Sequence, residues 1–394
     1  MVLFVHNRYR TTGGEESVVA SLLDLVRESL GEPAELLSRE SAGLGRARAV
    51  AGLLAGGLSP QWVGAAVRES RARVLHAHNL QPLLGWRALA AAKREGARIV
   101  VHLHQYRLVC ANGVCFTSGA ECVRCHGRNT LPGVVHNCRG SRPEALAYAA
   151  SLSLWQRRIA GLADAVIVPS EFARRRLREL GAPLDPRRVH VLAPPVPAPA
   201  RAAAPEAGRY ALVVSRLAAE KGVDVAIEAC AIAKVPLIVA GEGPEGDRLR
   251  SLARELEDRS RSGQGESRRD ALTGPGHPGP GAVRFAGQVA RGELARLRAG
   301  AALAIVPSRS AETFGLAAAE AMAAGLPVAA SRVGALGELV GAEGLVPAGD
   351  PAALARAVER LWGDRDAAAR ARERARLTCS PEMIAPRLRA VYDG

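Results

Sequence analysis

The 394-residue sequence predicts two α/β domains, each built on a parallel sheet flanked by helices. Three observations lead there. Short apolar runs of strand length alternate with helix-length segments along the whole chain, which is the pattern of βαβ units. A chain of 394 residues, 48% of them hydrophobic, can fill two cores of similar size. Between the two halves, Pro194-Pro-Val-Pro-Ala-Pro199 and the Ala- and Pro-rich residues up to Gly208 can continue neither sheet nor helix, so a stiff extended linker is expected there.

In the first half the runs predict strands at 2–6, 74–78, 98–103, 165–168 and 189–193, with helices at 15–30, 83–95, 143–162 and 171–180. The second half repeats the alternation, with strands at 210–215, 236–240, 283–286, 302–306 and 327–330 and helices at 223–233, 315–324 and 352–362. The domains are therefore placed at 1–195 and 209–375, with a last helix at 381–394. Residues 258–281 are crowded with Ser, Gly, Arg and Pro and nearly free of apolar side chains, so they read as a disordered surface insertion.

Lys and Arg number 53 against 39 Asp and Glu, leaving a net charge of +14, and all but Lys93, Lys221 and Lys234 of those cations are arginine. Such a surface is drawn to phosphates, on nucleotides, nucleic acid or anionic lipid. Aromatics at 4% argue against a base-stacking platform, and no nucleic-acid partner is expected. The apolar opening Met1–His6 is too short for a secretory signal and is followed, not preceded, by Arg8 and Arg10. No apolar run reaches the roughly 18 residues of a spanning helix. The reading is a cytoplasmic protein whose charge fits peripheral contact with the anionic inner face of a membrane.

The richest segment is Pro307-Ser-Arg-Ser-Ala-Glu312-Thr-Phe314-Gly315-Leu-Ala-Ala-Ala-Glu320. A strand ends at Val306, a loop carries Glu312, and Thr313 is expected to cap a helix whose free amides would face an anion. Glu320 then falls on that helix among Ala, Leu and Met, where an unpartnered carboxylate would be costly. In Val213-Val-Ser-Arg216-Leu-Ala-Ala-Glu-Lys221-Gly222, an Arg follows a strand and a Lys opens the next helix, at the sheet edge where α/β domains bind ligands. Two cations with helix-terminal amides there suit a diphosphate. Gly241 and Gly243 lie in a strand-to-helix turn where a ligand could approach the backbone closely. Gly13-Gly14 opens a helix after the first strand and forms another phosphate-compatible loop, although a plain tight turn fits equally. His78 and His104 each end a strand on the same edge.

These pieces, in this order over two Rossmann-like halves, resemble the retaining glycosyltransferases of family 4, which have the GT-B fold of two Rossmann-like domains facing a central cleft. The resemblance is carried by Gly13-Gly14, His104, Ser215-Arg216 with Lys221-Gly222, Gly241-Glu-Gly-Pro244, and above all Glu312-x7-Glu320. It implies a nucleotide-diphosphate sugar donor held by the second domain, with Arg216 and Lys221 on the diphosphate and Glu320 on the ribose hydroxyls. Glu312 and the amides around Phe314-Gly315 would lie against the donor sugar and His104 near its hydroxyls, with the last helix returning to the first domain. It further implies transfer to an acceptor hydroxyl with retained configuration, by front-face attack that needs no cofactor or divalent metal. The basic charge fits a lipid-linked saccharide or polysaccharide acceptor of cell-envelope glycoconjugate synthesis, and a small natural product is the alternative.

Five of the seven cysteines cluster as Cys110-x4-Cys115-x6-Cys122-x2-Cys125-x12-Cys138. In a reducing compartment disulfides are not expected. A C-x2-C pair flanked by two further cysteines can instead close a tetrahedral structural zinc site. Cys110, Cys122, Cys125 and Cys138 are the preferred ligands, with Cys115 spare and His126 and His136 able to replace one of them; a similar insert occurs in a subset of the family. Two other readings stand beside the transferase. A sugar-nucleotide epimerase would need acid/base carboxylates in the first domain, where Glu15 and Glu16 are poor candidates. A non-enzymatic zinc and nucleic-acid binder would leave the Glu312/Glu320 and Arg216/Lys221 pattern unexplained.

Overall fold

The computed structural model describes residues 1–8, 13–41, 43–262, 279 and 281–394. The chain divides into two compact units, Met1–Pro195 with Pro381–Gly394, and Val196–Ser380.

The first unit is a parallel sheet of order β2-β1-β3-β4-β7-β8, formed by β1 (Val2–Arg8), β2 (Ala34–Glu40), β3 (Val74–Ala77), β4 (Arg98–His102), β7 (Ala165–Val168) and β8 (Val189–Val191). A separate short hairpin pairs β5 (Phe116–Thr117) with β6 (Ala120–Glu121). Its helices are α1 (Gly14–Asp24), continued by a π turn over Leu25–Ser29, α2 (Arg46–Ala55), α3 (Gln61–Ser70), α4 (Gly85–Arg94), α5 (Leu131–Val135), α6 (Arg142–Leu162) and α7 (Glu171–Glu179). Central strands such as Val2-Leu-Phe-Val5 are buried throughout, because helices cover both faces of a parallel sheet. β2 carries no comparable signal in the sequence: it is an edge strand, and its Glu35, Leu36 and Glu40 are exposed.

The second unit contains β9 (Tyr210–Val214), β10 (Leu237–Ala240), β11 (Val283–Gly287), β12 (Ala301–Val306), β13 (Val328–Ser331) and β14 (Leu345–Val346), in the order β11-β10-β9-β12-β13-β14. Its helices are α8 (Val223–Ala233), α9 (Gly246–Ser262), α10 (Arg291–Ala299), α11 (Leu316–Ala323), α12 (Leu336–Leu339), α13 (Pro351–Leu361) and α14 (Arg365–Cys379). In this order the chain builds outward from β9 on one side, then crosses to build from β12 on the other. The loops leaving β9 and β12 therefore diverge and leave a crevice at their carboxyl ends. The first sheet reverses in the same way between β1 and β3.

The chain then returns to the first unit as α15 (Pro381–Asp393). Tyr392 is buried with its hydroxyl 2.7 Å from His76 Nδ1, Arg98 Nε donates to the Val391 carbonyl at 3.1 Å, and Arg73 pairs with Asp393 at 3.0 Å.

Two expectations need correction. The proline-rich segment does not stand free: from Val196 it is tied into the second unit, with Val196 N bonded to the Cys379 carbonyl at 2.7 Å and Ala203 N to that of Ala324 at 2.7 Å. The second unit accordingly begins before residue 209 and ends after 375. Residues 258–262, expected to open the disordered insertion, continue α9, because the Arg/Glu-rich repeat before them is a good helix former. The remainder of that stretch, 263–278 and 280, lies outside the described residues. Among the described residues no helix is long and apolar enough to cross a membrane.

Replacing Tyr392 by Phe should destabilise the first unit by about 1–3 kcal/mol, since it leaves a buried ring nitrogen of His76 without its partner. Denaturant unfolding measures this, and wild-type stability would show that the Tyr392–His76 hydrogen bond does not contribute to holding α15.

Candidate functional site

In the second unit, the loop after β9 carries Arg216 to Gly222 and the loop after β12 carries Pro307 to Gly315. An ion pair joins them: Lys221 Nζ lies 2.6 Å from Glu312 Oε1, and Ser308 Oγ donates to the same oxygen at 2.6 Å. Burial alone would raise the Glu312 pKa, but the Lys221 ammonium and the Ser308 hydroxyl outweigh it and hold the carboxyl below its ordinary value. Gly222 has φ +62°, and a Cβ there would come within 2.2 Å of the Pro307 carbonyl oxygen, so the two loops touch backbone to side. Arg309 grips Asp224 of α8 with both terminal nitrogens at 2.8 and 3.1 Å, and the Arg309 and Ser310 amides donate to the Glu220 carbonyl at 2.8 and 3.2 Å.

The other predicted residues of this unit fall around that joint. Arg216, more than half exposed, pairs with the buried Glu220 one turn on. Gly241 and Gly243 face their own chain rather than open space. A Cβ on Gly241, which has φ +135°, would lie 1.9 Å from the Ser215 carbonyl oxygen, and one on Gly243 2.3 Å from that of Leu217. Their smallness thus lets the loop after β10 lean on the loop after β9. Thr313 does not cap α11. Gly315 takes that position with φ +94° and no side-chain bond, where a Cβ would meet Leu336 Cδ2 at 2.5 Å. Phe314 is buried. Glu320 is not an isolated acid, because Arg298 of α10 donates to its Oε2. Arg298 has no sequence signal, since it sits 22 positions from Glu320 and meets it through the fold, whereas Ser308 and Glu220 each lie four positions from their partners, Glu312 and Arg216.

The first unit gathers histidines at the matching edge. His6 lies on β1, His76 and His78 lie on and just past β3, and His102 and His104 on and just past β4. Two-residue alternation along neighbouring strands puts them on one face. His76 Nε2 lies 3.2 Å from His102 Nδ1, and His78 Nδ1 lies 2.8 Å from His104 Nε2. The His102 and His104 rings stack at 4.3 Å between centroids. His6 has the carboxylates of Glu15 and Glu16 at 3.8 and 3.7 Å. Burial first, then repulsion from neighbouring imidazoles, pushes His76 down to about 3 and His78 and His102 well below 6.5. Burial also lowers His104, against an opposing pull from Glu15. These imidazoles are therefore neutral at pH 7. A cavity of about 70 Å³ beside them is lined by Glu15, His78, Gln81, His104 and Arg107.

Gly13 is the residue before α1, and its amide donates to Glu16 Oε2 at 2.9 Å. That donor is therefore engaged by a carboxylate of its own helix. Tyr9 to Thr12 of the same loop lie outside the described residues. The His76-x-His78 and His102-x-His104 spacing is the signal by which the wider histidine group could have been found.

Cys110, Cys115, Cys122, Cys125 and Cys138 all line one small cavity. All are free thiols. Cys110 donates to Asn112 Oδ1 at 3.0 Å, Cys125 faces the Thr130 carbonyl at 3.9 Å, and Arg124 donates to the Cys122 sulfur at 3.6 Å. Among the described residues, three donors within 4.8 Å of one another are found at His76, His78 and His102, and the cysteine sulfurs are not drawn to that spacing. His126 and His136 do not line the cysteine cavity; the His126 ring instead fills the space beside Gly181.

A family model described as glycosyl transferase 4-like domain matches residues 12–195, and one described as glycosyl transferases group 1 matches residues 208–364. The chain is similar to a D-inositol 3-phosphate glycosyltransferase of Nocardioides, 32% identical over 60% of this chain and 54% of the relative. It is also similar to a glycogen synthase of Mycobacterium tuberculosis, 37% identical over 42% of this chain and 36% of the relative. The matched region thus spans about half or less of these relatives. Among solved structures, sucrose-phosphate synthase of Thermosynechococcus elongatus superposes with a TM-score of 0.70 at 19% identity, covering 100% of this chain and 98% of that one. The Anabaena protein HepE in complex with UDP superposes with a TM-score of 0.63 at 18% identity, covering 100% and 99%. Both likenesses show the fold, two parallel-sheet α/β domains of the GT-B type.

The buried neutral histidines give a pH dependence of known sign. Their folded pKa values lie below the ordinary 6.5, so below that pH the unfolded state binds the protons and stability falls as pH falls. Each group that stays neutral costs about 1.4 kcal/mol per pH unit below 6.5. Unfolding midpoints should therefore drop steeply between about pH 6.5 and 5, and a flat profile there would show that the imidazoles are solvated.

Proposed function

We propose, from the premise that the chain belongs to the family 4-type glycosyltransferases of the GT-B fold, that it transfers a sugar from a nucleotide-diphosphate sugar to an acceptor hydroxyl with retained configuration. The observation that carries this reading is the joint in the second unit. Arg216, Lys221 and the amino ends of α8 and α11 stand at the carboxyl ends of β9 and β12, where the strand order reverses. Cations and helix amides at such a place favour a diphosphate, and favour it more as its charge grows.

In this reading Arg216 and Lys221 hold the diphosphate, Glu320 the ribose hydroxyls, and Glu312 with the amides near Gly315 the sugar. As the bond from the anomeric carbon to the diphosphate oxygen breaks, the acceptor oxygen bonds to the same face. The acceptor proton passes to the departing phosphate oxygen. Glu312 is engaged by Lys221 and Ser308, which suits a role in positioning better than one as covalent nucleophile. His104, a neutral imidazole, can both donate to and accept from hydroxyl groups. No step needs a divalent metal.

UDP in the HepE complex makes uridine diphosphate sugars the first donors to test. The net charge of +14 favours an acceptor presented at an anionic surface, such as a lipid-linked saccharide of the cell envelope, with the protein cytoplasmic and peripheral. The relative acting on an inositol phosphate favours a small hydroxylated acceptor as the second reading. Family membership leaves no support for the epimerase or the non-enzymatic reading.

Steady-state kinetics with varied donor separate these roles. Arg216→Ala should lower turnover at saturating donor by roughly tenfold to a hundredfold, the loss of a charge-assisted contact of about 1.5–3 kcal/mol that tightens as the bond breaks. Glu320→Gln should raise the donor KM more than it lowers kcat, because ribose contacts are alike before and during transfer. Wild-type turnover in Arg216→Ala would remove the diphosphate from this loop.

A further inference from the structure

The histidine group and its cavity belong to the site already described; the cysteine cavity does not. It lies in the segment from Gln105 to Arg139, whose regular structure amounts to the two-residue strands β5 and β6 and the five-residue helix α5. A two-pair ladder and one turn of helix cannot hold 35 residues in place without further support. Yet the segment is ordered around the cavity: Cys122 N bonds the Cys115 carbonyl at 2.8 Å, and Cys138 N that of Gly133 at 3.0 Å. Gly133 lines the cavity and has no room for a side chain, since a Cβ would lie 2.4 Å from that of Ala111 and 3.8 Å from the Cys125 sulfur.

We propose that Cys110, Cys122, Cys125 and Cys138 hold one structural Zn²⁺ in this cavity, which fixes the segment to the first unit. The choice of four among five follows from which cysteine packs into the core cluster, which includes Cys115 and not Cys125. Cys115 belongs to the hydrophobic core of the unit beside Tyr106 and Val109, whereas Cys110, Cys122 and Cys138 are part-exposed and Cys125 faces them across the cavity. The space is about 10 Å³, near the size of one water molecule, and takes an ion with no other ligand. The sulfurs stand further apart than a filled site requires, with Cys110 turned to Asn112 and Cys125 to Thr130. Tetrahedral Zn–S bonds of about 2.3 Å bring sulfurs to roughly 3.8 Å apart, a change made by side-chain rotation. Binding releases four thiol protons to solvent and leaves a site of net charge −2. Arg124, already donating to the Cys122 sulfur at 3.6 Å, offsets part of that charge.

Metal analysis of the untagged full chain, purified under reducing conditions and supplied with zinc, tests this independently of any transferase activity. About one zinc per chain is expected, lost in the Cys122→Ser/Cys125→Ser variant and kept in Cys115→Ser. Should the double variant fail to fold, the wild type still decides. Cobalt substituted for zinc should give the intense thiolate-to-metal absorption of a four-sulfur site, and a mercurial titrating four thiols should release the metal. No bound metal, a disulfide among these cysteines under reducing conditions, or cobalt spectra of nitrogen ligation pointing to His76, His78 and His102 would each overturn the proposal.

Discussion

The contact between Lys221 and Glu312 governs the second unit. Glu312 has most of its surface removed from water, and a carboxylate so placed needs a counter-charge. Lys221 supplies it from the other side of the point where the sheet reverses its order, so the ion pair, together with the Arg309 and Ser310 amides on the Glu220 carbonyl, fixes how the loops after β9 and β12 lie together. The glycines serve that approach. Gly222 clears the Pro307 carbonyl, and Gly334, with φ +57°, clears the backbone of Glu312, from which a Cβ would be 2.4 Å. Removing one partner of a buried pair costs about 3–5 kcal/mol, more than the pair itself contributes, because the other charge remains. The pair therefore acts chiefly as a fixed geometry, holding an ammonium at the mouth of two helix amino ends.

The two units solve different electrostatic problems with the same topology. In the second unit the carboxyl edge carries full charges in pairs, Lys221 with Glu312 and Arg216 with Glu220, so a diphosphate would meet cations whose positions are already set. In the first unit the edge carries stacked imidazoles kept neutral by burial. Neutral imidazole donates on one side and accepts on the other, which suits hydroxyl groups and avoids competition for phosphate. His6 has the carboxylates of Glu15 and Glu16 beside it, and the same two acids act on His104.

The sequence made the alternation of strands and helices legible because buried parallel strands are continuous apolar runs, as in Val2-Leu-Phe-Val5 and Leu237-Ile-Val-Ala240. It hid β2, α9, α10 and α14, whose charged residues hide an amphipathic face from a reading of apolar runs. At the site, Glu312, Lys221, Arg216 and Glu320 stood out by spacing, while the pairing of Lys221 with Glu312 did not, since the two are 91 residues apart and meet through the sheet order. At Gly241 and Gly243 the sequence shows that space is needed, and the structure adds that the loop after β9 fills the side where a Cβ would stand.

The central claim is that this joint in the second unit receives phosphate. Titration calorimetry of UDP and of uridine against the wild type and Lys221→Gln tests it most directly, with unfolding midpoints recorded to confirm that the variant is folded. The account predicts that the variant loses at least tenfold in UDP affinity, about 1.4 kcal/mol, while uridine binds both proteins alike. Equal UDP affinity in the two folded proteins would contradict it.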